Sequence, residues 1–200
     1  MVGQCVALYH FEWLTPIMRF VSWFGDGVYI PIALSIVTAL FFWFKKDKFF
    51  AIIMICAPLL GQIVKYLLKN FFQVPRPEVF GCEVLTAYAD RYSFPSGHTI
   101  FYTIFFGLLA YYALKHLNSK KAAFVLTFSL LAVTLVGYSR VYLGAHWYLD
   151  IAAGYLVGGA ILAAAIFTYQ YLHNYVILNR VKDPVLDSSV RPQNDGEEKK

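Results

Sequence analysis

Charge is scarce in this chain of 200 residues. Asp, Glu, Lys and Arg make up 14% of it, against about 25% in an ordinary soluble domain, which excludes a conventional water-solvated globule. Cysteine is also scarce: Cys5, Cys56 and Cys82 are the three present, and their spacing fits no metal-ligand set. No carboxylate cluster of the kind that holds a metal stands out, and no internal repeat is visible. Residues 1–11 lack the basic stretch that opens a cleavable signal peptide, so membrane insertion is expected to rely on the spans themselves.

What the chain does have is apolar length. Hydrophobic residues account for 59% of it and the mean hydropathy is +0.55, which points to a membrane protein. A bilayer core needs about 20 apolar residues per helix. Five runs are read as spans: Val28–Phe44, Phe49–Leu68, Thr99–Leu114, Ala122–Tyr138 and Leu149–Tyr171. Residues 6–24 are rich in aromatics but interrupted by His10, Glu12, Pro16 and Arg19. They are expected to form an interfacial helix, with a sixth, poor span as the alternative. The predicted fold is therefore all-α, a polytopic membrane helix bundle of five spans preceded by an interfacial helix. Its segments are 1–27, 28–171 and a polar tail, 172–200, whose composition predicts disorder.

The lysines orient this bundle. Lys45, Lys46 and Lys48 join the first two spans, and Lys115, Lys120 and Lys121 join the third and fourth. Alternating spans put both links and the tail on one side, which the positive-inside rule makes cytoplasmic. Residues 69–98 and 139–148 then share the outer face. Cys5 and Cys82 fall on that face too, so a disulfide between them stays open, whereas Cys56 lies in an apolar run and is expected to be inert. In the fifth span, Gly154-x-x-x-Gly158 fits close helix packing.

The outer links collect ionisable groups: Lys69, Arg76, Arg91, His98, Arg140, His146 and Asp150. Any one lysine or arginine at a span end reads equally as an anchor that snorkels to the headgroups. Anchoring does not call for histidines. His146 and Asp150 stand four apart, so on a helix they share a face and can hydrogen-bond. A carboxylate on one ring nitrogen fixes the tautomer and leaves the other as base or nucleophile; the plainer alternative is an acidic residue at a helix start. Lys69, Arg76 and Arg140 are cations suited to a polyanion, with Arg76 stiffened between Pro75 and Pro77. Pro95-Ser96-Gly97-His98 reads as a helix cap. It also reads as an anion-binding helix start, with His98 placed to protonate a leaving oxygen.

Together these stretches resemble the type 2 phosphatidic acid phosphatase superfamily, which has three motifs. Lys69-x6-Arg76-Pro77 matches the first, Pro95-Ser96-Gly97-His98 the second, and Ser139-Arg140-x5-His146-x3-Asp150 the third. The resemblance covers about residues 28–171. The run GQIVKYLLKNFFQVPRP also resembles bacterial members acting on phosphatidylglycerol phosphate and undecaprenyl pyrophosphate. The family usually has six spans, one more than are counted in this chain.

The resemblance implies a lipid phosphate or pyrophosphate phosphatase that needs no metal or other cofactor. His146 is then the nucleophile that forms a phosphohistidine, Asp150 its orienting carboxylate, and His98 the acid for the leaving group. Lys69, Arg76, Ser96, Gly97 and Arg140 hold the phosphoryl oxygens. The expected partners are a lipid phosphate and membrane lipids, not nucleic acid, and the expected site is the outer face of a bacterial inner membrane. A lipid phosphotransferase using the same phosphohistidine is the alternative. A transporter predicts charges spread through the midplane, and these lie at span ends. A haloperoxidase of the same superfamily is soluble, which this composition disfavours.

Overall fold

Six α-helices and a short 3-10 turn (Pro77–Phe80), with no strand among the described residues, build the chain in the computed structural model, which describes residues 11–80, 83–86 and 91–182. The helices are α1 (Leu14–Trp23), α2 (Tyr29–Phe44), α3 (Lys48–Phe72), α4 (Gly97–His116), α5 (Ser119–Tyr142) and α6 (Tyr148–Lys182). Helices α3, α4, α5 and α6 are long and apolar enough to cross a membrane. Helix α2 has 16 residues, about 24 Å at 1.5 Å per residue, short of a hydrocarbon core about 30 Å thick. Among the described residues four helices thus meet the length and composition of a span, and α2, the first of the five runs, is a shorter apolar helix beside them.

The helix ends lie where local chemistry puts them. Lys46 takes a positive φ of 66° in the α2–α3 turn, and the Asp47 carboxylate accepts the Phe50 N–H at 3.0 Å to start α3. The Asn118 side chain accepts the Lys121 N–H at 3.1 Å and starts α5. At this lysine-bearing end, Tyr169 of α6 donates to Asp47 at 2.7 Å and lies 3.3 Å from His116 Nε2. That contact ties the α2–α3 turn, α4 and α6 together. Helix α6 runs on to Lys182, past the boundary expected at residue 171.

Helix α4 is the central post, packed against α3, α5 and α6. Its Ile100, Phe101, Ile104, Phe105 and Leu108 are buried with Phe42, Phe50, Met54, Val136 and Tyr169. The α4–α6 approach depends on the predicted glycines. A Cβ on Gly154 would stand 2.8 Å from Thr99 Cβ, and one on Gly158 would stand 2.8 Å from Thr103 Cβ. Outward faces carry large apolar side chains such as Phe41, Ile63, Leu130, Leu156 and Phe167. Exposed apolar surface on this scale suits lipid contact rather than water.

Helix α1 has ten residues, about 15 Å, too short to span. Phe11 and Thr15 both bond to the Tyr142 hydroxyl, Met18 packs on Tyr142 and Leu143, and Ser22 reaches Arg140. The segment from Phe11 to Ser22 therefore meets a single turn of α5, so it crosses that helix rather than running beside it. This fits the expected non-spanning role. Cys5 and Cys82 lie outside the described residues, and Cys56 is an exposed free thiol.

Candidate active site

Each predicted site residue sits at the end of the bundle opposite the lysine turns, and most are buried. Lys69 (α3) is 5% exposed, Arg76 2%, Arg140 (α5) 1%, His146 4% and Asp150 (α6) 1%. Charged groups are almost never buried this fully unless each is paired or serves a purpose.

The loops between helices fasten the three motifs to one another. Arg76 donates to the Ala145 carbonyl at 2.7 Å, and the Trp147 indole donates to the Pro75 carbonyl at 3.0 Å. Both join the first motif to the third. Lys69 donates to the Tyr92 carbonyl at 2.5 Å, and the Ser93 N–H donates to Val74 at 2.9 Å, which brings in the approach to the second. The Ser96 N–H donates to the Asp150 carbonyl at 3.1 Å, joining the second motif to α6. Ser96 is also the N-cap of α4. The predicted cap therefore exists, and the start of α4 is held on the third motif.

His146 is not on a helix. Gly144 takes φ +71° after α5 ends, and the N–H groups of Ala145 and His146 fold back on the Arg140 carbonyl at 3.1 and 3.3 Å. This turn sets His146 just ahead of α6. The expected pair still forms, but between loop and first helical turn: His146 Nδ1 lies 3.2 Å from Asp150 Oδ2. The same oxygen accepts the Trp147 N–H at 2.9 Å, so the carboxylate accepts and Nδ1 carries the hydrogen. Nε2 is left with its lone pair. Burial, and then the charges of Arg140, Arg76, Lys69 and His98, hold the His146 pKa well below the usual 6.5. At neutral pH the ring is uncharged, with a free nitrogen amid three permanent cations.

Those electrostatic neighbours also show which groups converge. Lys69, Arg76, Arg140 and His98 all act on His146. Arg140 bonds to the Ser22 hydroxyl, and its buried Nε has no partner among the described residues, as befits a donor reserved for a ligand. Lys65, four residues before Lys69 on the same helix, comes close to Gly97: a Cβ there would stand 2.5 Å from Lys65 Cδ, so the Lys65 stem lies across the start of α4. Phosphate-sized anions suit such a cradle of fork and point-charge donors. Among the described residues no three His, Cys, Asp or Glu side chains group as a metal site.

Sequence reasoning missed Asp26, which follows α1 and lies 2.8 Å from His98 Nε2 and 3.8 Å from Arg140. The signal was a carboxylate between Gly25 and Gly27 just ahead of an apolar run. Of the aromatics at this end of the bundle, Trp23, Phe71 and Phe72 are exposed, while Trp147 is half-buried as the strut to Pro75.

Comparison with known proteins gives the family. The profile of the PAP2 superfamily matches residues 50–174. The chain is 26% identical over 159 residues to phosphatidylglycerophosphatase B of Bacillus subtilis, covering 78% of this chain and 76% of the relative. It is 33% identical over 152 residues to undecaprenyl-diphosphatase of Sulfolobus acidocaldarius, covering 72% of this chain and 66% of the relative. Among solved structures, the transmembrane PAP2-type phosphatidylglycerolphosphate phosphatase of Bacillus subtilis superposes with a TM-score of 0.70 at 24% identity, covering 85% of this chain and 83% of that one. Aquifex aeolicus LpxE gives 0.61 at 26%, covering 80% of this chain and 89% of that one.

Proposed function

Because the chain belongs to the PAP2 superfamily and its relatives are named as lipid phosphatases, we propose that it hydrolyses a lipid phosphate or lipid diphosphate through a phosphohistidine, without a metal, on the outer face of a bacterial cell membrane. The chain itself is a multi-pass membrane protein. The relatives' names, phosphatidylglycerophosphatase and undecaprenyl-diphosphatase, support an amphiphilic substrate with one or two phosphates. The lysine turns at the end away from the site support the outer face, since those turns favour the cytoplasm.

The observation that carries the reading is the neutral His146, held by Asp150 inside the cradle of Lys69, Arg76 and Arg140. The His146 Nε2 lone pair attacks phosphorus and forms the P–N bond while the P–O bond to the lipid breaks. Asp150 stabilises the positive ring that results. Lys69, Arg76 and Arg140, with the Ser96 hydroxyl and Gly97 amide, hold the three equatorial oxygens, whose charge is spread in the transition state. His98 gives a proton to the leaving oxygen, then takes one from the water that cleaves the P–N bond and returns the electron pair to His146.

The test is phosphate release by purified protein from a panel of lipid phosphates and diphosphates, with and without His146→Ala. The variant should fold and release none. With labelled substrate, the wild type should trap an acid-labile, alkali-stable phosphoprotein that His146→Ala does not. Turnover retained in the variant would refute the mechanism.

A further inference from the structure

The site contains a second carboxylate–imidazole pair. Asp26 Oδ1 stands 2.8 Å from His98 Nε2, and a carboxylate can only accept, so Nε2 carries the hydrogen. The Cδ2–Nε2 edge of the ring is covered by the segment that bears Asp26: a Cβ on Gly25 would stand 2.6 Å from His98 Cδ2. The opposite edge carries Nδ1, which bonds to no protein group among the described residues. His98 is 9% exposed and its charged neighbours besides Asp26 are Arg140 from α5 and Lys65 from α3, both cations. Facing the ring, Asp26 is thus the sole anion among these charges.

We propose that Asp26 is the positioning residue of the leaving-group acid. It fixes His98 with Nε2–H on the carboxylate and Nδ1 toward the substrate, and it offsets the positive charge the ring carries when doubly protonated. This rests on the phosphatase reading given above and adds a member to its machinery from outside the three motifs. In the first step the Nδ1 proton passes to the lipid oxygen as the P–O bond breaks, and the neutral ring keeps Nε2–H on Asp26. In the second step Nδ1 accepts a proton from the attacking water. Asp26 itself gains and loses no proton. The pairing mirrors His146–Asp150 with the nitrogens exchanged: there Nδ1 is held and Nε2 reacts.

An acid is needed only when the leaving group is poor. An alkoxide departs from a lipid phosphate with difficulty, whereas p-nitrophenolate leaves without a proton. Asp26→Asn should therefore lower kcat/KM, which reports transfer to His146 and not the later hydrolysis that all substrates share, about 10- to 100-fold for a lipid phosphate monoester, part of the 10²–10⁴ that general acid catalysis supplies. It should change kcat/KM for p-nitrophenyl phosphate less than about twofold. KM should stay or fall, because a negative charge beside Arg140 has gone and anion binding is no weaker. Asp26→Glu should recover part of the loss, and Asp26→Asn added to His98→Gln should cost nothing further.

Equal losses on both substrates would overturn the proposal, as would an unchanged kcat/KM with tighter binding of inorganic phosphate, which would make Asp26 merely a competing anion. Additive losses in the double variant would overturn it too. His146→Ala, measured alongside, separates the two levels: if it keeps activity the phosphatase mechanism fails, and if it loses activity on both substrates while Asp26→Asn is selective, both stand.

Discussion

Arg76 donates its 2.7 Å hydrogen bond to Ala145, the carbonyl immediately before His146. One end of the guanidinium thereby braces the turn that carries the nucleophile, while its charge acts on the His146 ring. Lysine has the charge but no fork, and cannot do both. Arg76→Lys should lower kcat about 10²- to 10³-fold, the scale for one lost preorganised donor. It should also lower stability by about 1–3 kcal/mol if Ala145 loses its partner. Phosphate release and thermal unfolding in detergent check the two effects separately.

Asp150→Asn tests the tautomer. Both bonds fall on one oxygen, Oδ2, so an amide whose NH₂ takes that place gives up the Trp147 N–H, at a cost of about 1 kcal/mol. The amide NH₂ turned toward His146 would then force Nδ1 to accept, moving the ring hydrogen to Nε2, where attack must begin. A loss in kcat on the order of 10³-fold or more is expected, with the unfolding temperature lowered by only about 2–4 °C. A small loss with full folding would show that the tautomer is free to choose.

The all-helical fold and the clustering of these residues at one end were legible in sequence; the helix bounds were less so. Motif spacing brings Lys69, Arg76, His98, Arg140, His146 and Asp150 to one end of the bundle because each flanks an apolar run, and hydropathy locates such runs well. Hydropathy places ends badly, since ends are polar: Arg140 and Lys69 lie inside α5 and α3, not in the links assigned to them. The α2 run reads as a span by composition but makes only 16 helical residues. Asp26 escaped for a different reason. Its partner His98 is far along the chain, and the two meet because the end of α1 packs on the start of α4, where Tyr102 bonds to the Val21 carbonyl.

Packing at Gly154 offers a prediction with a built-in control. A Cβ there meets Thr99 Cβ at 2.8 Å and the Ser96 carbonyl at 3.0 Å, so a larger side chain must push α6 away from the start of α4. That shift would separate Asp150 from Ser96, whose N–H it holds at 3.1 Å. Gly154→Leu should destabilise by about 1–3 kcal/mol and lower kcat as well. A Cβ on Gly159 meets nothing within 4 Å, and Gly159→Leu should leave both near wild type. Equal behaviour of the two variants, measured by thermal unfolding and turnover, would refute the idea that α4–α6 contact sets the site.

The depressed pKa of His146 fixes the sign of a pH effect. In the unfolded chain this imidazole titrates near 6.5; in the folded site burial and four neighbouring groups keep the proton off until well below that. Between the two values the unfolded chain binds a proton the folded chain does not, so stability falls as pH drops through about 6.5. Above that both states are neutral and the contribution is constant. The slope from this one group is at most about 1.4 kcal/mol per pH unit. His146→Gln removes it, so from pH 7.5 to 5 the wild type should lose more stability than the variant, as followed by unfolding in matched detergent. The same depression keeps the nucleophile unprotonated at pH 6, so the acid limb of kcat/KM due to His146 should lie below the usual imidazole value. Parallel stability curves for wild type and His146→Gln would mean that the folded site accepts the proton readily, and the neutral nucleophile would have to be abandoned.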